Sequence, residues 1–349
     1  MISEPVEAEF AAMQDWFADN GWTDGLPVVP PTPEAVAAMV EAGGEPGDAE
    51  VGEIPPLGAV ATVEKVAVNA VLAGCKPEHF KVVLTAVRAL LVPEFNLYTI
   101  QTTTHPATPM VVVHGPEARR LGINGKTGAL GPGTRANAVI GRAIHLVLTN
   151  LGDAKPGVRD FATLGGPAKI GICTTENVDD SPWPEWHTTR GFSPDESAVS
   201  VFCMEGPQSV NDHDSTTPER LLDIVGSVMG HIGSNNWFAS DTGSEIVVVL
   251  APEHARLASD AGWDRTAVQR YLYNRVRRPV SELSRGGQWS PRTWSPWMNA
   301  LAKQPDALIP IVEAPENIVV LVAGGPGRFS AVMTNMGNIT RAVTLPIPN

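Results

Sequence analysis

Cys173, Glu176 and His187 are the first side chains in this sequence whose types could do chemistry together: a thiol, a carboxylate three residues on, and an imidazole in the stretch that follows. A thiolate nucleophile with acid and base partners needs those three functions, and so does a divalent cation held by sulfur, oxygen and nitrogen. The spacing C-x2-E-x10-H matches no standard zinc signature, so both chemistries stay open. Cys75, in Ala-Gly-Cys-Lys-Pro, offers a second thiol. A helix opening at Pro77 would place it near a positive helix end, with Lys76 beside it, and both would lower its pKa. Simple burial is the alternative for either cysteine.

The second group is built for anions. Gly131-Pro-Gly-Thr-Arg135-Ala-Asn137 is a glycine turn feeding a helix, whose unpaired N–H groups and positive end would attract a carboxylate or phosphate. Arg135, Ala138, Arg142, His145 and Thr149 line one stripe of that helix, so Arg135, Asn137 and Arg142 are candidate substrate anchors. The turn matches G-x-G-x-x-A, but no strand immediately precedes it and no acidic residue ends a strand about 20 residues on, so no nucleotide cofactor is implied. A divalent metal is the one cofactor that the residues could hold, with Cys173, Glu176 and His187 as its ligands. Gln101, Thr103 and His105, in Gln-Thr-Thr-Thr-His, and Trp183 and Arg190, in the long loop 174–197, complete the candidate substrate-binding set. Asn211-Asp-His-Asp214 and Gly324-Gly-Pro-Gly-Arg328 read equally well as turns or as ligand loops.

The elements that must position these groups follow from periodicity. Helices are expected at Glu7–Asn20, Pro33–Glu41 with Thr32 as N-cap, Thr62–Ala73, Pro77–Leu91, Thr134–Leu151, Pro218–His231, Pro252–Ala261 and Thr266–Arg277. Strands are expected at Leu97–Thr103, Pro109–His114, Ala168–Cys173, Ala198–Met204, Ile246–Leu250 and Ile318–Ala323, several of them continuous apolar runs of the kind buried on both faces. Strands alternating with helices predict an α/β fold of mixed sheets with helices on their faces. No repeat of 20 to 50 residues is evident. Three regions are expected: a helix and Pro-rich wrapping segment over 1–55, an α/β lobe over 56–205 that carries the site, and a second α/β lobe over 206–349 packed on the first.

The bulk composition limits the classes of function. With 349 residues, 43% hydrophobic and 18% charged, the chain can bury a full core. A net charge of -13 and a pI near 5.1 argue against nucleic acid and against an anionic membrane surface. The basic run Arg275–Arg278 reads as a helix terminus. Three cysteines far apart suit a reducing compartment, the first ten residues lack a secretory pattern, and no apolar run approaches the roughly 20 residues of a bilayer span, so a soluble cytoplasmic protein is expected.

Several phrases, taken together, resemble a poorly characterised bacterial family that accompanies, and is sometimes labelled with, the UGSC-type selenoprotein and thiol proteins. They are Trp22-Thr-Asp-Gly-Leu-Pro-Val-Val-Pro-Pro-Thr, Ala73-Gly-Cys-Lys-Pro-Glu, Arg135-Ala-Asn-Ala-Val-Ile-Gly-Arg142, Glu176-Asn, Ser181-Pro-Trp183, His187 with Arg190-Gly-Phe, and Pro252-Glu-His-Ala-Arg. The Cys/Sec-Gly-Ser-Cys motif itself is absent here. The resemblance implies a protein working beside a thiol- or selenol-bearing partner, in a homo- or hetero-oligomer. The leading expectation is an enzyme of lyase, hydratase or thiol-assisted reductive type acting on a small anionic substrate, with Cys173 or Cys75 as thiolate and Glu176 or His187 moving protons. Alternatives are a metal-dependent hydrolase or hydratase, and a non-catalytic subunit that binds substrate for the partner.

Overall fold

The apolar runs Met110–Val113, Ile246–Leu250 and Ile318–Val322 leave no polar face for water, and each becomes a strand covered on both sides. The structure, a computed structural model, describes residues 8–237, 245–285, 292, 294–304, 306–335 and 340–348. Its strands are β1 (Glu50–Ile54), β2 (Ala59–Thr62), β3 (Thr108–His114), β4 (Ile172–Thr174), β5 (Ala198–Met204), β6 (Pro207–Asn211), β7 (Ile246–Leu250), β8 (Arg277–Pro279), β9 (Leu308–Pro310), β10 (Ile318–Val322), β11 (Phe329–Met333) and β12 (Val343–Pro346). The helices used below are α1 (Ala8–Asp19), α2 (Pro33–Gly43), α3 (Val63–Ala73), α4 (Phe80–Leu91), α5 (Leu97–Thr102), α6 (Pro116–Arg120), α7 (Arg135–Asn150), α8 (Pro218–Met229), α9 (Pro252–Asp260) and α10 (Arg265–Arg275).

Two four-stranded mixed sheets, β12-β5-β3-β4 and β10-β7-β11-β6, repeat one plan. In each, a central strand (β3 or β7) has a parallel neighbour (β4 or β10) on one side and an antiparallel one (β5 or β11) on the other. The outer strand of each sheet is donated by the other half of the chain: β6 follows β5 but pairs with β11, and β12 follows β11 but pairs with β5. The unit expected over 206–349 therefore gives its last strand to the first sheet. The likeness survives in sequence only as Val111-Val-Val-His-Gly-Pro-Glu against Val247-Val-Val-Leu-Ala-Pro-Glu.

Alternation along the strands sorts the core into layers. Val111, Val113, Val199 and Val201 face α2, α3, α4 and α7. Ile246, Val248, Leu250 and Val320 face α8, α9 and α10. Between them Met110, Val112, Phe202 and Met204 from one sheet meet Val247, Val249, Val319 and Leu321 from the other. The result is a helix–sheet–sheet–helix α/β sandwich. Gly141 of α7 and Gly171 ahead of β4 bring helix and strand into backbone contact; a Cβ on Gly171, at φ +117°, would lie 2.2 Å from the Gly141 carbonyl oxygen.

The Thr32 cap agrees with the sequence reading, its hydroxyl accepting from Ala35 N, whereas Thr62, expected as the first residue of its helix, is the N-cap and accepts from Lys65 N; Gly74 ends α3 at φ +89°. Leu97–Thr102 is helical, not the expected strand, because Leu97, Ile100 and Gln101 then share one buried face. Arg275 ends α10, but Arg277–Pro279 continue as strand β8. Among the described residues, no helix is long and apolar enough to cross a membrane.

The Pro-rich segment lies across α3 and α7. Val28 exchanges two hydrogen bonds with the Gln14 side chain, Val29 N donates to Leu72 O, and Arg142 grips Asp24 through two bonds of 2.7 Å. The side chain of Asp24 is only 2% exposed. Arg142→Ala strands that carboxylate, and we expect a loss of about 3 kcal/mol in urea denaturation. A second expectation concerns acid. His79 and His254 are buried and His145 half-buried, and desolvation holds all three below the ordinary 6.5. Each therefore takes up its proton less readily in the folded chain than in the unfolded one. Their contribution is therefore complete above pH 6.5 and declines as pH falls below it, which urea midpoints measured from pH 7 to pH 5 would register.

Candidate metal centre

His114 is the last residue of β3, at the carboxyl end of a parallel strand pair, where open α/β sheets present ligands. The chain turns at Gly115, whose φ of +78° and approach to the Glu196 carbonyl (a Cβ would lie 2.4 Å away) exclude a side chain. Its freed N–H points at both carboxylate oxygens of Glu185, 3.2 and 3.3 Å away. Glu185 caps a short 3-10 helix, Trp186–Arg190, that carries His187. The imidazoles of His114 and His187 stack at 4.9 Å between centroids. Ligand atoms of His114, Glu185 and His187 all lie within 4.8 Å of one another, the one such group of three His, Cys, Asp or Glu among the described residues.

The ring nitrogens are orientated for coordination. His187 Nε2 lies 3.1 Å from the Ser193 carbonyl oxygen, which can only accept, so the proton sits on Nε2 and the neutral ring keeps a lone pair on Nδ1. His114 Nε2 bonds Ser200 Oγ at 2.9 Å, and Ser200 continues to Thr344 Oγ1 at 2.8 Å on the exchanged strand β12. Both Nδ1 atoms are buried without a hydrogen-bond partner. Two imidazoles and one carboxylate, with an outer carbonyl fixing the tautomer of His187 and a hydroxyl holding the ring of His114, suit a divalent transition metal with an open coordination position.

Beside this group lies Glu176, two residues beyond β4, with its Oε2 3.9 Å from His114 Nδ1. Oε1 accepts from Val322 N and from Arg265 Nη2, both 3.1 Å, and Oε2 accepts from Trp186 N. Burial outweighs the ion pair on both sides: it pushes Glu176 up to about 7 against the pull of Arg265 and the two backbone donors, and it lowers Arg265. Burial, reinforced by the neighbouring His187, also holds His114 well below 6.5, which keeps it a neutral ligand.

A cavity of about 450 Å³ adjoins this centre, with Gly115, Glu176 and Glu185 in its wall, while the fully buried His114 and His187 lie behind that wall. The exposed Lys126 and Arg119 stand over it and share Asp179, at 2.8 and 3.8 Å. A larger apolar cleft of about 580 Å³, between α1, α3 and α7, has Lys65 as its one titratable lining residue and so lacks the means for acid–base chemistry.

Of the residues expected from sequence, Glu176 and His187 meet in this centre. Cys173 does not; it points from β4 into the helix-facing core beside Cys75, and Cys173, Glu176 and His187 do not form a ligand set. Burial pushes the Cys75 thiol up to about 12, and burial plus the neighbouring Cys75 raises Cys173 further, so both stay protonated at neutral pH. The Cys75 thiol donates to Val139 O. The basic stripe of α7 faces the protein: Arg135 bonds the Gly74 carbonyl, and Arg142 bonds Asp24. Asn137 ties down the backbone of Asn124 at 2.8 and 2.9 Å. Gln101 lies buried in the small polar gap with Thr149 and Lys169, Thr103 caps the turn at His105, and His105 packs against Glu205 and Asn235. Trp183 inserts into the second helical core and bonds Trp263 O, while Arg190 covers Trp186 at 4.5 Å and pairs with Glu245. Gly324 joins the lobes, its N–H on Gly125 O and its carbonyl on Asn177.

Sequence reasoning missed His114, Glu185, Ser200 and Arg265. His114 closes a strand that it identified, and Glu185 and His187 alternate about Trp186; those were the available signals. Because Cys75, Cys173 and Cys203 are all buried, a disulfide thiol reagent at neutral pH should titrate none of the three in the native protein and all three in denaturant. Rapid native labelling of Cys75 or Cys173 would show a reactive thiol. Comparison with protein-family models, with curated proteins and with solved structures found no match, and so linked the chain to no family.

Proposed function

We propose that this protein is a metal-dependent enzyme that hydrolyses or hydrates a small molecule in the cavity beside β3 and β4. One observation carries the reading: two buried imidazoles, each with an unpartnered Nδ1 and a secured Nε2, converge with the Glu185 carboxylate within 4.8 Å. A divalent ion there would satisfy both nitrogens at once and would acidify a bound water. Glu176 stands close to His114 but outside the three-ligand group, as a proton acceptor for that water would. Glu176 would take a proton from water as its oxygen adds to an electrophilic carbon, and would return that proton to the atom that leaves or to the adjacent carbon. Arg265 and the two backbone donors fix the carboxylate's orientation, and the buried thiols take no part.

The test starts from protein stripped with a chelator, to which zinc, manganese or iron(II) is returned. Elemental analysis should find about one ion per chain, with a raised melting temperature, since an ion bound only by the folded state stabilises it. His187→Ala and Glu185→Ala should abolish that stoichiometry, and Ser200→Ala should weaken the affinity about ten-fold through the outer partner of His114. Glu176→Gln should keep the metal while hydrolase or hydratase turnover falls about 100-fold or more. Retention of the ion by the His187 and Glu185 variants, or uptake of none of the three metals by the native chain, removes this reading.

A further inference from the structure

The geometry points to a second binding site, on the helical face of the first sheet, for an apolar molecule that carries one anionic group. It is the cleft of about 580 Å³ between α1, α3 and α7, and it does not depend on the proposed metal centre. Its walls are apolar. Trp16 and Phe17 come from α1 and Leu72 from α3, while the Pro-rich segment adds Trp22, Pro30 and Pro31, and the prolines have no N–H to offer a ligand. Trp16 stands edge-on to Trp22 at 5.0 Å and to Phe17 at 5.1 Å, yet Trp16 and Trp22 remain 52% and 43% exposed. A concave, largely apolar site of this volume, with few polar groups, suits a small organic molecule.

Charge narrows the class of ligand. On a chain of net charge -13, this cleft has a lysine and no carboxylate among its lining residues. Lys65 makes no ion pair among the described residues, and its Nζ donates to the Val60 carbonyl at 2.7 Å, which leaves further ammonium N–H groups for a ligand. The other polar side chains of the lining are occupied. Asn150 Nδ2 donates to Asn69 Oδ1, Asn69 Nδ2 donates to the Lys65 carbonyl, and the Thr32 hydroxyl caps α2. Asn150 Oδ1 lacks a partner but is shielded from solvent. A cationic ligand would meet the ammonium with no carboxylate beside it. A ligand with an apolar body and a carboxylate instead covers the exposed indoles and brings its charge to Lys65 at the rim.

Decanoate, decan-1-ol and decyltrimethylammonium share one apolar chain and differ in the charge of the head group, so together they test the site. Each is titrated into the full chain below its micellar concentration, with binding followed by calorimetry and tryptophan fluorescence. Saturable one-to-one binding of decanoate is expected, with the alcohol about five-fold weaker and the ammonium weaker still. Lys65→Glu, at an exposed position, should reverse the order of decanoate and the ammonium and leave the alcohol unchanged. Trp16→Ala should weaken all three about ten-fold through lost apolar contact. Absence of saturable decanoate binding overturns the proposal, as does native decanoate affinity in either variant. Self-association of the native chain that Trp16→Ala abolishes, seen by sedimentation, overturns it as well, because a second copy would then be the occupant of the cleft.

Discussion

A carboxylate without solvent, Glu176, is the constraint on which the rest of this structure depends. An ionised side chain in that position is tolerable only if donors converge on it, and they come from three separate parts of the chain: Trp186 N from the histidine-bearing loop, Val322 N from the end of β10, and Arg265 from α10. Each of these contacts positions something else. Trp186 is flanked by Glu185 and His187, so anchoring its N–H fixes two of the three proposed ligands. Val322 and Arg265 belong to the second half of the chain, so the same carboxylate joins the two sheets at their shared end. Loss of Glu176 would therefore disturb ligand geometry and the junction between halves, whereas the isosteric glutamine keeps the shape and removes the proton acceptor.

The repeated sheet plan places the candidate ligand group on one half of the chain and several of its supports on the other. At the position of His114 the second half has Leu250, which packs into the core beneath α8, α9 and α10. After β4 the chain makes the long excursion that brings in Glu185 and His187; after β10 it passes through a short glycine-rich turn and returns as β11. The second half supplies an arginine, a backbone donor and a strand. Strand exchange makes the dependence mutual, since Thr344 on β12 completes the hydrogen-bond chain behind His114.

Much of the fold was legible because local patterns determine it. The Val-rich runs, the Thr32 cap and the apolar face of α7 require no knowledge of distant residues, and the α/β class follows from them. The short strands β1, β2, β6, β8, β9, β11 and β12 left no comparable trace, because their burial is partial or set by partners far along the chain. The site was legible in half. Glu176 and His187 stood out by type, but Glu185 sits unmarked beside Trp186, and His114 lies some 70 residues before both, at the end of a strand that reads as pure core. Arg142 illustrates the converse error. A helix stripe of arginines suggests a binding surface until the partner, Asp24, is found 118 residues upstream.

Burial also acts differently on the two kinds of group that the sequence singled out. A thiol and an imidazole respond to desolvation in opposite ways. Removing water from Cys173 or Cys75 disfavours the thiolate, which disables a nucleophile. Removing water from His114 disfavours the imidazolium, which leaves the neutral ring that a metal requires. The same dry interior therefore keeps the thiols protonated and favours the neutral form of His114. An inert thiol needs only apolar neighbours, whereas a buried imidazole with an unpartnered nitrogen lacks an acceptor for its proton or a partner for its lone pair. His114 and His187 each bury one such nitrogen, and the two residues stand with Glu185 in a single cluster.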